Sequence, residues 1–222
     1  MTSGTAAKFL LSLTIFAFFV TGPLAQDDLT PSETPRRTDP KVHLHTALKD
    51  LLANTRAATF DLTSYQKMGE DEEFTAGRVT WAGHDSLRID VDEGRGKGAT
   101  AVLKEGRVIA WRRGWLSFLK FKFKLRNKRV MSMRGRDLSN TGYFDDLRFV
   151  LDHWDLVQVS FDETGYIIEY NNEQKLPTRL WLAFEPLHVY RHEVQDSGIE
   201  VERYTYEDVL LNPPIDPGLL DP

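Results

Sequence analysis

His84-Asp85-Ser86 sets an imidazole, a carboxylate and a hydroxyl side by side, the three groups of a nucleophilic hydrolase. Adjacent residues cannot orient one another as nucleophile, base and orienting acid, and the chain has no Gly-x-Ser-x-Gly elbow, so these three residues read better as a turn. His43 and His45 lie two apart and His188 and His192 four apart, the raw material of a metal site, but no carboxylate stands at a recognisable ligand spacing around either pair. Carboxylates crowd the C-terminal part of the chain, yet none stands alone in an apolar context that would raise its pKa for acid-base work. No phosphate loop or dinucleotide fingerprint occurs. These residues predict no catalytic group, no metal and no cofactor.

The N-terminus carries a different kind of signal. Lys8 precedes an almost unbroken apolar run over residues 9–20, which Thr21, Gly22 and Pro23 end, and Leu24-Ala25 then gives way to Gln26-Asp27-Asp28. A run of about a dozen residues suits the core of a secretory signal, whereas a membrane-spanning helix needs about twenty. Residues 1–25 are therefore read as a signal peptide, with an uncleaved anchor as the alternative, and the chain is expected to be secreted across the inner membrane into a periplasm. The absence of cysteine excludes a lipid-modified cysteine at the cleavage region, disulfides and a Cys-based metal site.

Charge is segregated along the chain. Residues 107–136 hold eleven Lys or Arg and no acid, while residues 137–222 hold eighteen acids and five bases, so a net charge of −5 conceals a polarised molecule. Aromatic and basic side chains interleave in Trp115-Leu116-Ser117-Phe118-Leu119-Lys120-Phe121-Lys122-Phe123-Lys124, a pattern shared with nucleic-acid surfaces. Export argues against nucleic acid as a partner. Two readings stay open: the solvated outer face of a strand, and a surface for anionic lipid headgroups made by Arg112, Arg113, Lys120, Lys122 and Lys124.

The elements that would position these groups follow from periodicity. Residues 26–40, with three prolines among polar residues, predict a disordered linker. Asp39-Pro40 then caps a helix of about four turns whose Leu44, Leu48, Leu51 and Leu52 share one stripe. From Thr59 to Val130 the period falls to two: Val79 and Trp81 share a face, as do Leu87, Ile89 and Val91, and Leu119, Phe121, Phe123 and Leu125 alternate with lysines. Glu105-Gly106-Arg107 and Asp162-Glu163-Thr164-Gly165 predict hairpin tips. Tyr143, Leu147, Val150, Leu151 and Trp154 return to helical spacing, with Asp145 and Asp146 in the first turn and His153 in the last as the helix dipole favours. Strands resume through Trp181, Val189 and residues 199–211, and residues 213–222 form a proline-rich tail. The expectation is one mostly β (α+β) domain over residues 41–212.

Three stretches resemble the LolA-like half-barrel proteins of the bacterial periplasm. Gly77-Arg78-Val79-Thr80-Trp81 followed by Leu87-Arg88-Ile89-Asp90 is similar to that family's pair of strands with an Arg between apolar residues. Residues 101–111, turning at Glu105-Gly106, are similar to its next hairpin, and Tyr204-Thr205-Tyr206 through Asn212-Pro213, with Leu219 or Leu220 beyond, is similar to its closing strand and tail. The resemblance spans residues 46–222 and implies a curved antiparallel sheet forming a half-open barrel, covered by the N-terminal and the inserted helix, whose concave face holds the acyl chain of a lipid or lipoprotein. One departure bears on function: the lipoprotein chaperone of the family uses an Arg near the turn that here reads Ala82-Gly83-His84-Asp85, so handover of lipoproteins in particular is not implied.

On this reading the apolar ligand would contact Trp81, Leu87, Ile89, Trp111, Phe121, Phe123 and Trp181, although for any single one of them plain core packing is the better reading. A register error of one residue would turn any of them outward. The function expected is a non-catalytic carrier or binding protein for a lipid, acylated molecule or other apolar ligand. An envelope sensor or interaction module with a protein partner, and an exported hydrolase, are the alternatives.

Overall fold

Among the described residues eleven strands form one antiparallel sheet that does not close. A computed structural model of the chain describes residues 39–83, 86–139 and 143–222. The segment expected to be a signal peptide, all but the last two residues of the expected linker, His84-Asp85 and residues 140–142 lie outside the described residues.

Helix α1 (Pro40–Asn54) starts one residue inside the segment assigned to the linker, because Asp39 caps it through a 2.9 Å bond from the Lys41 amide and Pro40 supplies the fixed φ of a first helical position. Strands β1 (Ala58–Met68), β2 (Asp71–Trp81), β3 (Ser86–Gly94), β4 (Ala99–Lys104), β5 (Arg107–Arg112) and β6 (Phe121–Lys124) form a first meander. Helix α2 (Tyr143–Asp152) follows, and β7 (Gln158–Phe161), β8 (Gly165–Asn171), β9 (Pro177–Ala183), β10 (His188–Asp196) and β11 (Ile199–Leu211) form a second. The meanders join where β11 pairs with β1, which leaves β6 and β7 as the sheet's edges.

Both expected hairpin tips are present: Glu105 and Gly106 carry positive φ between β4 and β5, and Asp162 between β7 and β8 accepts from the Thr164 and Gly165 amides. The lysine-rich strand is shorter than its alternation suggests. Only residues 121–124 pair with β5, so Leu119 and Leu125 lie outside β6, and residues 125–139 form a run of turns. Helix α2 ends at Asp152, placing His153 beyond it and Trp154 in a single 3-10 turn.

One sheet face carries the core. Phe60, Leu62, Val79, Leu87, Leu103, Ile168, Leu180, Leu182, Tyr204 and Tyr206 pack there with Leu44 and Leu48 of α1 and Tyr143, Phe144, Leu147 and Val150 of α2. Trp81 stacks on Phe144 at 4.2 Å and Tyr143 meets Phe60 at 5.2 Å and Tyr206 at 5.0 Å, geometries in which aromatic pairs attract beyond the area they bury. The opposite face carries ion pairs, Arg78–Asp61 at 2.9 Å across β2 and β1 and Arg88–Asp90 at 2.7 Å along β3. The C-terminal tail lies along that opposite face, where Arg88 donates to the Leu219 carbonyl at 3.0 Å and Lys104 pairs with Asp221. Asn212, at a φ of 54° that Asn tolerates, accepts from the Arg56 and Ala57 amides and donates to the Asn54 carbonyl, tying the end of β11 to the exit of α1.

Candidate ligand-binding cleft

The helix-covered face is filled at one end only. Toward α2 the facing positions carry Phe60, Trp81, Leu87 and Leu103, whereas farther along the same strands they carry Ser64, Thr75, Ala99, Ala101 and Ala110. Ala101 stands directly opposite Ala110 and next to Ile89, so two adjacent strands present alanines beside Ile89 to the same space. The result is a mostly apolar cleft of about 370 Å³, floored by Leu62, Ile89, Val91, Ala101, Val108 and Ala110 and roofed by Val130, Met131 and Leu138 of the turn-rich segment. That volume falls within the roughly 300–1,000 Å³ of small-ligand sites.

A charged clasp holds the roof in place. Glu202 on β11, only 3% exposed, accepts from Arg134 Nε at 2.9 Å on one oxygen and from Arg136 Nε at 2.7 Å on the other. Gln66 accepts from the Arg134 amide at 3.1 Å and donates to the Tyr204 hydroxyl at 2.6 Å, and Arg134 Nη1 donates to the Lys67 carbonyl at 3.0 Å. A carboxylate this deeply buried is tolerated because two guanidinium groups and a tyrosine hydroxyl occupy its lone pairs. The cleft is therefore amphipathic, apolar along the sheet and charged where the segment is strapped down. A second hollow of about 360 Å³ on the far side of the segment is lined by charged groups including Arg126, Asp145 and Glu173, and suits an apolar ligand poorly.

Beneath α2 lies another polar pair. His192 is fully buried, and its Nδ1 sits 3.1 Å from Asp146 Oδ2 in an oblique approach off the hydrogen-bond line. Burial alone would raise the Asp146 carboxyl, but His192 and the Arg136 guanidinium outweigh it and hold the group below its ordinary value. Burial raises the neighbouring Tyr170 and Tyr206 phenols well above theirs. His192, Tyr170 and Tyr206 are buried, while Asp146 is partly exposed and lines the second hollow. Elsewhere, His45 stacks on Trp154 at 4.8 Å, and His188 Nδ1 lies 2.6 Å from the Pro186 carbonyl.

The register separates the seven apolar residues singled out from the sequence. Trp81, Leu87, Ile89, Phe121 and Phe123 are on the helix-covered face, but of these only Ile89 lines the cleft. Trp81 and Leu87 are core beneath α2, and Phe121 and Phe123 belong to the edge strand. Trp111 and Trp181 are on the opposite face: Trp111 pairs with Thr100 beside the Arg88–Asp90 ion pair, and Trp181 lies between the guanidinium groups of Arg179 at 5.4 Å and Arg191 at 5.1 Å. Neither belongs to the cleft. The five basic residues Arg112, Arg113, Lys120, Lys122 and Lys124 cluster on β5, β6 and their connection. The clasp was missed, although Glu202 shares the parity of Tyr204 and Tyr206 and so belongs to the buried face.

No protein-family model matches the chain, and no curated protein matches it in sequence. Solved structures do. An uncharacterized conserved protein from Thermus thermophilus superposes with a TM-score of 0.50 at 8% identity, over 80% of this chain and 92% of that one. A LolA superfamily protein from Nitrosomonas europaea matches at 10% identity over 79% of this chain and 94% of its own, with a TM-score of 0.38. The Mycobacterium tuberculosis lipoprotein LppX matches at 9% identity over 81% and 99%, with a TM-score of 0.41. At such identities the likeness is one of fold alone.

Proposed function

We propose that the protein is an exported, non-catalytic carrier or binding protein that shelters an acyl chain or comparable apolar ligand in the cleft between β1–β5 and the turn-rich segment. The observation that carries this reading is the row of small side chains, Ala99, Ala101 and Ala110, on a face whose α2 end is filled by large ones. A packed interior leaves few voids larger than a water molecule, so unfilled apolar space under a strapped roof suits an occupant. Each methylene buried there would contribute about 0.8 kcal/mol, enough for one acyl chain to bind without polar chemistry. The charged clasp at one end suits a ligand with a polar head.

A second reading, an envelope interaction module, draws on the other end of the same face, which the protein fills with its own Trp81, Phe144, Tyr143 and Phe60. Native mass spectrometry of protein isolated from its own envelope without detergent separates the two. A stoichiometric lipid or acylated species supports the carrier. An empty protein that also fails to take up a fluorescent fatty acid overturns it in favour of the interaction module.

A further inference from the structure

The connection between β5 and β6 exposes more apolar surface than any packing need explains. Trp115 is 83% exposed, Phe118 70% and Phe121 58%, with Leu119 exposed between them. The connection is a built turn: the Ser117 amide donates to the Gly114 carbonyl and the Leu119 amide to the Leu116 carbonyl, each at 3.0 Å. It is moored to the sheet at Arg113, whose amide donates to the Gly98 carbonyl at 2.8 Å and whose guanidinium reaches the Val91 carbonyl and Asp92. A clustered, exposed apolar patch on an ordered element marks a contact surface.

Charge identifies what it contacts. Arg113 is engaged by Asp92 and Lys120 lies over the Trp111 ring at 5.6 Å, but among the described residues no carboxylate pairs with Arg112, Lys122 or Lys124. The stretch of residues 107–136 holds eleven bases and no acid of its own, and Arg113, Arg134 and Arg136 are the ones engaged by acids elsewhere among the described residues. Exposed Trp and Phe flanked by unpaired Lys and Arg match the two layers of an anionic bilayer surface, whose headgroup level favours Trp and whose phosphates attract cations. A second copy of the chain fits less well, because apposing two such tips brings their cations together.

We propose that the β5–β6 tip docks the protein on an anionic lipid bilayer, with Trp115 and Phe118 entering the headgroup layer and Arg112, Lys122 and Lys124 facing lipid phosphates. The tip lies at the cleft's own end of the sheet: Gly98, its mooring point, is the neighbour of Ala99, and both Ala99 and Gly96 line the cleft. Docking thus brings the cleft to the membrane, yet the surface does not depend on the cleft's being occupied.

The test is flotation of the full chain with extruded vesicles of phosphatidylcholine, with and without phosphatidylglycerol. The full chain and its variants carry the same N-terminal residues, so any contribution of residues 1–25 cancels between them. Phosphatidylglycerol is expected to increase binding, and added salt to reverse the increase. The Trp115→Ala/Phe118→Ala pair is expected to remove that increment by about tenfold or more, and Lys122→Gln and Lys124→Gln to lower it about fivefold each. Uptake of a fluorescent fatty acid should be the same in the Trp115→Ala/Phe118→Ala variant as in the parent, which separates docking from ligand holding. The absence of a phosphatidylglycerol-dependent increment, or an increment that survives the double substitution, overturns the proposal. So does a concentration-dependent dimer that the double substitution abolishes without any vesicle association, which would assign the tip to a second copy.

Discussion

Arg136 Nε and Glu202 Oε2 lie 2.7 Å apart although 66 residues separate them, and Arg134 holds the other oxygen of the same carboxylate. This pairing fastens residues 125–139 to β11, because the segment has no strand partner of its own. Removing one partner of a buried ion pair costs roughly 3–5 kcal/mol, since the remaining charge stays uncompensated. Glu202→Gln should therefore lower stability by about 3 kcal/mol in urea unfolding. Hydrogen exchange should quicken first in residues 129–136, ahead of β1 and β11. Uniform acceleration across the sheet would mean that Glu202 supports the sheet as a whole and is not a clasp.

The Asp146–His192 pair predicts the acid limb of stability. Burial pushes the Asp146 carboxyl up, and His192 together with Arg136 overrides that effect and leaves it below its ordinary value. A group whose folded value is depressed contributes stability above its unfolded value of about 4 and loses it as pH falls through the folded value. The difference in urea midpoint between the parent and Asp146→Asn should accordingly be full above about pH 5 and shrink below about pH 4. A difference that stays constant from about pH 6 to about pH 2 would show that Asp146 acts by packing and not by charge.

If the small residues make the cleft, enlarging them should close it. Ala101 and Ala110 face each other across β4 and β5 at the cleft floor, and neither is fully buried. Ala101→Leu with Ala110→Leu fills existing space and should change stability by less than about 1.5 kcal/mol, where the same additions in a packed core cost about 1–3 kcal/mol. Fluorescent fatty-acid affinity should fall by at least about tenfold, the loss expected when roughly two methylenes' worth of burial is displaced. A stable double variant that binds the probe as well as its parent would place the ligand elsewhere.

The helices and most strands were legible because local and tertiary preferences agree. Asp39-Pro40 and the leucine stripe specify α1 without help from the rest of the chain, and Glu105-Gly106 specifies the β4–β5 turn. Legibility failed where one local pattern serves two purposes. Asp146 in the first turn of α2 satisfies the helix dipole, so the pattern gives no hint that it meets His192 from another strand. The lysine alternation runs from Leu119 to Leu125 in sequence, but β5 begins at Arg107, opposite Lys124, and its Trp111 and Arg112 pair with no residue of β6, so only four residues of the alternation are paired. The roof over the cleft has no periodic pattern, since turns held by long-range side-chain bonds leave none.

The two tryptophans on the opposite face carry the same lesson into a measurement. Val108-Ile109-Ala110-Trp111 and Leu180-Trp181-Leu182 are unbroken apolar runs, so alternation cannot fix which residues face the helices. Pairing fixes it: Val108 and Ala110 face the cleft and Trp111 does not, while Leu180 and Leu182 are buried and Trp181 rests between Arg179 and Arg191. Trp181→Ala should leave fatty-acid affinity unchanged while costing about 1–2 kcal/mol of stability through its two guanidinium contacts and partly buried ring. Trp111→Ala, beneath Arg88 and Lys120, should behave alike. Titration of each variant with the fluorescent probe, alongside Ile89→Ala on the cleft floor, checks the assignment. Loss of affinity in Ile89→Ala alone would locate the ligand on the helix-covered face, and a comparable loss in either tryptophan variant would move it to the other side of the sheet.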